Sequence, residues 1–268
     1  MNKILKSFKS SPYSSLKWNN YFEIYENCLN KFVGKSITIV EVGIGNGGSL
    51  FMWRKFLGKK AKIIGIELNP EAKKFEKYGF EIFVGDQSDP TFWKKFYKKK
   101  GKIDILIDDG GHTNLQQITT LMESIENINK GGVILIEDTH TSFMNYKGFK
   151  NPSKNSFINF SSHIIENLHR RNPMVRKKMN YLSKKIYSIE YFDSIVLINI
   201  IKKETTYSKN LYNNKKLNPF FTDYRFKRIA NKNPKKTNNL FINLIKSKIS
   251  KKGFLQSFYE NFRIKKYL

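Results

Sequence analysis

The chain reads as an α/β protein: a doubly wound, mostly parallel seven-stranded sheet of the Rossmann-like kind, with an antiparallel terminal strand and a basic C-terminal extension. Three observations predict this. Short β-branched runs alternate with amphipathic stretches between residues 37 and 142, as in βα units laid side by side. A glycine-rich turn, Gly43-Ile44-Gly45-Asn46-Gly47-Gly48, joins the first run to the first amphipathic stretch. Two later runs end in acids, Asp108-Asp109 and Glu137-Asp138, and in open α/β sheets ligands bind at the carboxyl ends of strands.

The elements follow in order. Trp18, Tyr21, Phe22, Ile24, Tyr25, Cys28, Leu29 and Phe32 make an apolar face that predicts one N-terminal helix over residues 13–33. Ile37–Val42 is the first strand and Ser49–Leu57 the first helix of the alternating region. Ile63–Leu68, Glu81–Val84, Ile103–Asp108 and Val133–Asp138 are the next strands, separated by helices at Glu71–Tyr78, Pro90–Lys99 and Asn114–Asn129. Continuous apolar runs such as Ile103-Asp104-Ile105-Leu106-Ile107 predict parallel strands buried on both faces. Beyond residue 142 the alternation loosens. Asn155–Arg170 reads as a helix, and Ile186–Tyr191 and Ser194–Ile201 as an antiparallel pair around an Asp193-Ser194 turn. Asn239–Ile249 reads as a basic amphipathic helix, a candidate to dock on the core, on a second subunit or on a membrane surface. The expected organisation is a helical segment 1–36, a ligand-binding domain 37–202 and an extension 203–268.

Composition narrows the class. The net charge is +27, and residues 201–268 hold 18 of the 49 basic residues but only 3 of the 22 acidic ones. Such a field favours anionic partners: phosphates, acidic headgroups, anionic glycans or nucleic acid. Richness in Lys, Asn, Ile and Phe also follows from an AT-rich coding sequence. No apolar stretch approaches the roughly 20 residues of a membrane span, and no apolar signal region follows Lys3, Lys6 and Lys9. A cytoplasmic location is therefore expected, with peripheral contact to the inner membrane through the basic tail as a further expectation. A single cysteine, Cys28, excludes an internal disulfide framework and reads as a core filler.

The motifs carry the chemistry. Gly43, Gly45 and Gly48 satisfy G-x-G-x-x-G, a turn that brings backbone N–H groups and a helix N-terminus to a ligand. Nicotinamide dinucleotides and S-adenosylmethionine both use such a turn. Glu67, at the end of the second strand, suits a ribose diol in either class. Three features favour S-adenosylmethionine. Glu41 is unwelcome beside a pyrophosphate but acceptable near a sulfonium or ammonium group. Gly85-Asp86-Gln87 ends the third strand where an adenine would be contacted. The acids after the fourth and fifth strands suit a cationic donor and a metal and would repel a dinucleotide. Ser49 at the helix start and Asp108 at the strand end complete the donor-side candidates. Asp108, Asp109, Glu137 and Asp138 crowded together would be costly unless a cation or shared protons relieved them.

Together, Lys17-Trp18-x-x-Tyr21-Phe22-x-Ile24-Tyr25-Glu26, Glu41 to Leu50, Ile107 to Thr113, Ile136 to Ser142 and Tyr191 to Val196 resemble class I S-adenosylmethionine methyltransferases. Within that superfamily they resemble the metal-dependent O-methyltransferases of macrolide deoxysugars and the related cephalosporin hydroxylase-type and polysaccharide-cluster proteins. The resemblance spans about residues 13–201. It implies Asp109, Glu137 and Asp138 as ligands of Mg²⁺ or Mn²⁺, His112 as general base beside Asp109, Glu67 on the donor ribose, and Gly43 and Gly45 under the methionine moiety. The family usually has Ser where this chain has Gly111.

The chemistry is coherent on its own terms. A sugar hydroxyl holds its proton too tightly to attack at neutral pH, so a divalent cation and a base are what it lacks. The leading expectation is a metal-dependent sugar O-methyltransferase acting on a nucleotide-linked sugar or a bacterial surface polysaccharide precursor, in a homo-oligomer. The alternatives are a nucleic-acid methyltransferase and a non-catalytic membrane- or partner-binding module. Charge favours the former, but the fourth strand ends in Asp-Asp-Gly-Gly-His, not the Asn/Asp-Pro-Pro-aromatic segment of amino-methylating DNA enzymes, so a nucleic-acid partner is not expected.

Overall fold

The apolar runs become strands because each presents β-branched residues to both faces of one sheet. The computed structural model describes residues 2–146, 149–150, 154–211 and 213. The chain divides into two compact units, Met1–Lys209 and Asn210–Leu268, and every element below lies in the first. The strands are β1 (Thr38–Val42), β2 (Lys62–Glu67), β3 (Glu81–Val84), β4 (Ile103–Asp108), β5 (Ile128–Ile136), a two-residue pair β6 (Asn145–Tyr146) and β7 (Phe149–Lys150), and β8 (Ile186–Phe192) and β9 (Ile195–Ile200). Apart from the β6–β7 hairpin they form one seven-stranded sheet, ordered β3-β2-β1-β4-β5-β9-β8. The pairs among β1 to β5 are parallel, and β9 runs antiparallel to both β5 and β8.

The expected fold class and strand count hold. β5 begins earlier than the expected Val133, because Ile128 pairs with Ile103 before the register shifts between Ile103 and Ile105.

Alternate residues of each strand feed two cores. Ile39, Ile63, Ile105, Ile107, Val133 and Leu135 face α1 (Lys3–Lys9), α2 (Tyr21–Leu29) and α3 (Gly48–Leu57), where Trp53 and Tyr25 are fully buried. Val40, Ile64, Leu106, Ile134 and Val196 face α4 (Pro90–Lys100), α5 (Asn114–Ser124), α6 (Phe157–His169) and α7 (Tyr181–Lys185) around the buried Trp93. This is the doubly wound, three-layer arrangement that continuous apolar strands require.

The N-terminus departs from the expected single helix over residues 13–33. Asn2 caps a first helix, Lys3–Lys9, with its side chain accepting from Ile4 and Leu5 N–H. The chain between α1 and α2 is not helical. Pro12 withholds a donor there and disfavours helix in the residue before it. Helix resumes only at Tyr21 and turns 3₁₀ at Asn30–Phe32. Pro70–Tyr78, expected as an α-helix from Glu71, is 3₁₀ as well. The candidate helix Asn239–Ile249 lies outside the described residues. Among those described, no helix is long and apolar enough to cross a membrane.

Cys28 packs beside the core as expected, and burial pushes its thiol up to about 11. At pH 8 its thiolate population is then about 100-fold below that of an ordinary thiol. Alkylation by iodoacetamide is expected to be slower by at least about 10-fold than for a free cysteine. Because the folded pKa lies above the unfolded one, the native state resists ionisation, so stability is expected to fall as pH rises from the unfolded value toward about 11. Urea midpoints of wild type and Cys28→Ala across that range measure the difference.

Candidate active site

The sheet order reverses between β1 and β4, and the crevice at their carboxyl ends is where a doubly wound sheet places its ligand. The acids singled out in the sequence collect at that edge. Asp109 N–H donates to the Val42 carbonyl (2.9 Å) and Glu137 N–H to the Asp108 carbonyl (2.9 Å), so three consecutive strand ends are laced together. Gly43, at φ +79°, is where the first and fourth strand-end turns cross: a Cβ there would stand 2.1 Å from the Asp109 carbonyl oxygen. Gly43→Ala is expected to lower stability by about 1–3 kcal/mol, read from urea midpoints, because both the conformation and the space exclude a side chain.

Two clefts flank this crossing. The first, about 560 Å³, lies over β1, β2 and β3. It is lined by Gly43, Gly45 and Ser49 of the glycine turn, by Glu67, by Asp86 and Gln87, by Asp109 to Gly111, and by Ser14 to Leu16. The second, about 490 Å³, is lined by Lys17, Trp18, Tyr21, Asp109, His112, Glu137, Asp138, His140 and Met144. Leu16 and Asp109 line both.

The donor-side candidates divide into those that reach the first cleft and those that lie beneath it. Glu67 reaches it, with its oxygens accepting from four backbone N–H groups: Ile44 and Gly45 at 3.1 Å, Leu68 at 2.8 Å and Asn69 at 3.1 Å. It therefore sets the shape of the glycine turn. Asp86 is engaged by Ser88 at 2.7 Å. Gln87 is buried, donates to Asp108 Oδ1 (2.9 Å) and Thr120 Oγ1 (3.0 Å), and accepts from Gly111 N–H (2.8 Å). Glu41 and Asp108, expected to touch the donor, line neither cleft. Both are buried beneath it, because their strand positions point the side chains into the protein. Ser49 donates to Glu41 at 2.6 Å. Burial pushes the carboxyls of Glu41 and Asp108 up, opposed by Lys17 at Glu41 and by the Gln87 hydrogen bond at Asp108.

Around the second cleft the structure gathers Asp109, His112 and Asp138, each offering one ligand atom, all within 4.8 Å of one another. His112 Nε2 lies 3.3 Å from Asp138 Oδ2 and 3.9 Å from Asp109 Oδ1. His112 and Asp138 adopt positive φ, 57° and 51°, which residues with a Cβ take up only where the surroundings impose it. A hard-oxygen set with one imidazole fits Mg²⁺ or Mn²⁺.

Glu137 points elsewhere. Its Oε2 accepts from Lys17 Nζ (2.9 Å) and its Oε1 from the Tyr25 hydroxyl (2.6 Å), so it stands outside the Asp109–His112–Asp138 cluster. The Lys17 ammonium also meets Asp109 Oδ2 at 2.6 Å and Glu41 Oε1 at 3.5 Å, with its side chain only 1% exposed. A buried amine normally loses its proton. Burial does oppose the charge here, but Asp109 and Glu137 outweigh it and hold the pKa well above that of an ordinary lysine. Burial pushes Glu137 toward its neutral form while Lys17 pulls the other way. The group is held charged by one ammonium facing three carboxylates within 3.5 Å.

No protein-family model matches the chain. Known proteins do. It is 28% identical over 167 residues to an 8-demethyl-8-alpha-L-rhamnosyl tetracenomycin-C 2'-O-methyltransferase of Streptomyces olivaceus, covering 59% of this chain and 44% of the relative. It is 27% identical over 162 residues to a demethylmacrocin O-methyltransferase of Streptomyces fradiae, covering 58% and 40%. Among solved structures, the MycE methyltransferase of mycinamycin biosynthesis, in complex with Mg and SAH, superposes with a TM-score of 0.65 at 20% identity, over 75% of this chain and 54% of MycE. The fold is that of the class I methyltransferases. The chain spans less than half the length of these two curated relatives.

Within this methyltransferase fold, sequence reasoning located both acid clusters but not the donors that serve them. Trp18, Tyr21 and Tyr25 were legible only as parts of an apolar helix face and of a family motif, and Lys17 only as part of that motif. The available signal was a lysine preceding tyrosines spaced for one helix face, an unusual polar complement for a buried side. Gly111 has a local reason as well. A Cβ there would meet the Gln116 side chain at 2.3 Å, and Gln116 closes the capping box with Thr113 that starts α5.

Proposed function

We propose that the chain is an S-adenosylmethionine-dependent, divalent-metal-dependent O-methyltransferase that acts on a sugar hydroxyl. One observation carries the reading: a nucleoside-sized cleft over the glycine turn and a cleft holding Asp109, His112 and Asp138 share Asp109 and Leu16 as common walls. A methyl donor in the first and a hydroxyl in the second would meet at that wall. The names of the relatives, all sugar-linked or macrolide O-methyltransferases, point the same way.

Roles follow from placement. Asp109 Oδ1 and Asp138 Oδ2 would hold the ion, which Mg²⁺ commonly accepts from one or two carboxylates while keeping water and substrate oxygens. Bound there, the ion would stabilise the alkoxide that develops on the substrate. His112 Nε2 faces the same space and takes the hydroxyl proton. The oxygen then bonds to the methyl carbon as the carbon–sulfur bond breaks, and the sulfonium leaves as a neutral thioether. Leu16 and the strand-end turns exclude water and place the two reactants in line, the largest contribution available to such a transfer.

The finer acceptor, a nucleotide-linked sugar or a surface polysaccharide precursor, rests on the net charge of +27. Incubation with radiolabelled S-adenosylmethionine and panels of nucleotide sugars, anionic glycans and macrolide glycosides tests both levels. Label is expected in a sugar panel and is expected to disappear with EDTA and return with Mg²⁺ or Mn²⁺. Transfer that ignores EDTA would remove the ion from the mechanism. Transfer to macrolide glycosides alone would remove the nucleotide-sugar reading.

A further inference from the structure

We infer that the segment opening α2 is the orienting scaffold of the ion site, with Tyr21 and Trp18 as positioning residues for Asp138 and Lys17 as the positioning residue for Asp109. The inference rests on the ion-dependent reading above and extends it to residues that hold the cluster carboxylates from the far side.

The hydrogen bonds divide each cluster carboxylate into a held oxygen and a presented one. Asp138 Oδ1 accepts from the Tyr21 hydroxyl (2.7 Å) and from Trp18 Nε1 (2.9 Å), while its Oδ2 faces His112. The Tyr21 oxygen also accepts from Asp138 N–H at 3.1 Å, so one phenol grips both the backbone and the side chain of a residue at φ 51°. Asp109 shows the same division: Oδ2 accepts from Lys17 at 2.6 Å, and Oδ1 faces His112. Lys17 and Trp18 lie in the non-helical stretch just before α2 and Tyr21 is its first residue, so a single short segment supplies every one of these side-chain donors. Groups that fix the far side of a ligand commonly govern metal affinity, by about 10–100-fold. Without Tyr21, Asp138 would keep its place in sequence but lose the constraint that aims Oδ2 at the cluster.

The test is Mn²⁺ binding to the full chain, followed by electron paramagnetic resonance of free Mn²⁺. Tyr21→Phe is expected to weaken Mn²⁺ binding about 10-fold or more. S-adenosylhomocysteine affinity should be unchanged, because Tyr21 does not line the first cleft. The Mn²⁺ concentration for half-maximal methyl transfer should rise, and the loss of turnover should be larger at limiting than at saturating Mn²⁺. A merely structural role would lower Mn²⁺ affinity, S-adenosylhomocysteine affinity and turnover at saturating Mn²⁺ together. Trp18→Phe removes only an indole N–H from a side chain at the site's rim and provides the second variant should Tyr21→Phe fold poorly. About 3-fold or greater weakening is expected there, a smaller share because Tyr21 still holds the same oxygen. Wild-type Mn²⁺ affinity in the folded variants would overturn the inference. Failure of the unmodified chain to bind Mn²⁺ at all would instead overturn the ion-dependent reading beneath it.

Discussion

Lys17→Met is expected to destabilise the fold by about 3–5 kcal/mol, a large share of the ~5–15 kcal/mol that holds a typical domain together. The ammonium is the shared counter-charge of Glu41, Asp109 and Glu137, which reach it from β1, from the end of β4 and from the end of β5. Removing it leaves carboxylates at 0%, 21% and 0% side-chain exposure without a cation. Methionine matches the length and apolar stem of lysine, so the change isolates charge from packing. The folded pKa of Lys17 lies well above 10.5, so its contribution is complete below that value and is lost as pH rises through the folded pKa. Urea midpoints at pH 7 measure the loss. A midpoint change below about 1 kcal/mol would mean that the carboxylates are already neutralised by protons.

His112→Gln is expected to lower kcat by about 100- to 10,000-fold, the usual worth of a positioned general base. His112 lies in the second cleft, 24% exposed, with Nε2 directed at the oxygens of Asp138 and Asp109. Its Nδ1 is buried and has no hydrogen-bond partner among the described residues, so nothing else in the structure engages the ring as a donor or acceptor on that side. The same placement allows the ring to act as an ion ligand, and Mn²⁺ affinity decides between the roles. A base leaves Mn²⁺ binding near wild type while turnover falls. A ligand loses both together, and glutamine at that position would then fail to bind the ion at low concentration.

Much of the fold was legible because its determinants are local. β-branched runs bounded by glycine choose strand, and continuous rather than alternating apolarity places those strands in the middle of a parallel sheet. The reversal of strand order, and with it the position of the cleft, follows from that class. The acid pairs at 108–109 and 137–138 were visible as charge where a buried run stops. The expected N-terminal helix was too long because its apolar spacing was real from Tyr21 onward but the residues before it serve another purpose. They roof the first cleft and carry Lys17 into the site.

What the sequence determined alone, then, is the sheet, the glycine turn and the set of acids at one edge. Which acids share a cation was decided only by tertiary structure. Lys17 meets residues 92 and 120 positions away in the chain, a pairing that no local pattern encodes. Glu137 looked equivalent to Asp138 in sequence, yet one turns inward to Lys17 and Tyr25 while the other turns to His112. Both residues follow the last residue of β5, and the left-handed backbone at Asp138 turns its side chain away from that of Glu137. Electrostatics inside a protein depends on the three-dimensional neighbours of each charge, and those exist only once the strands and the N-terminal segment have packed.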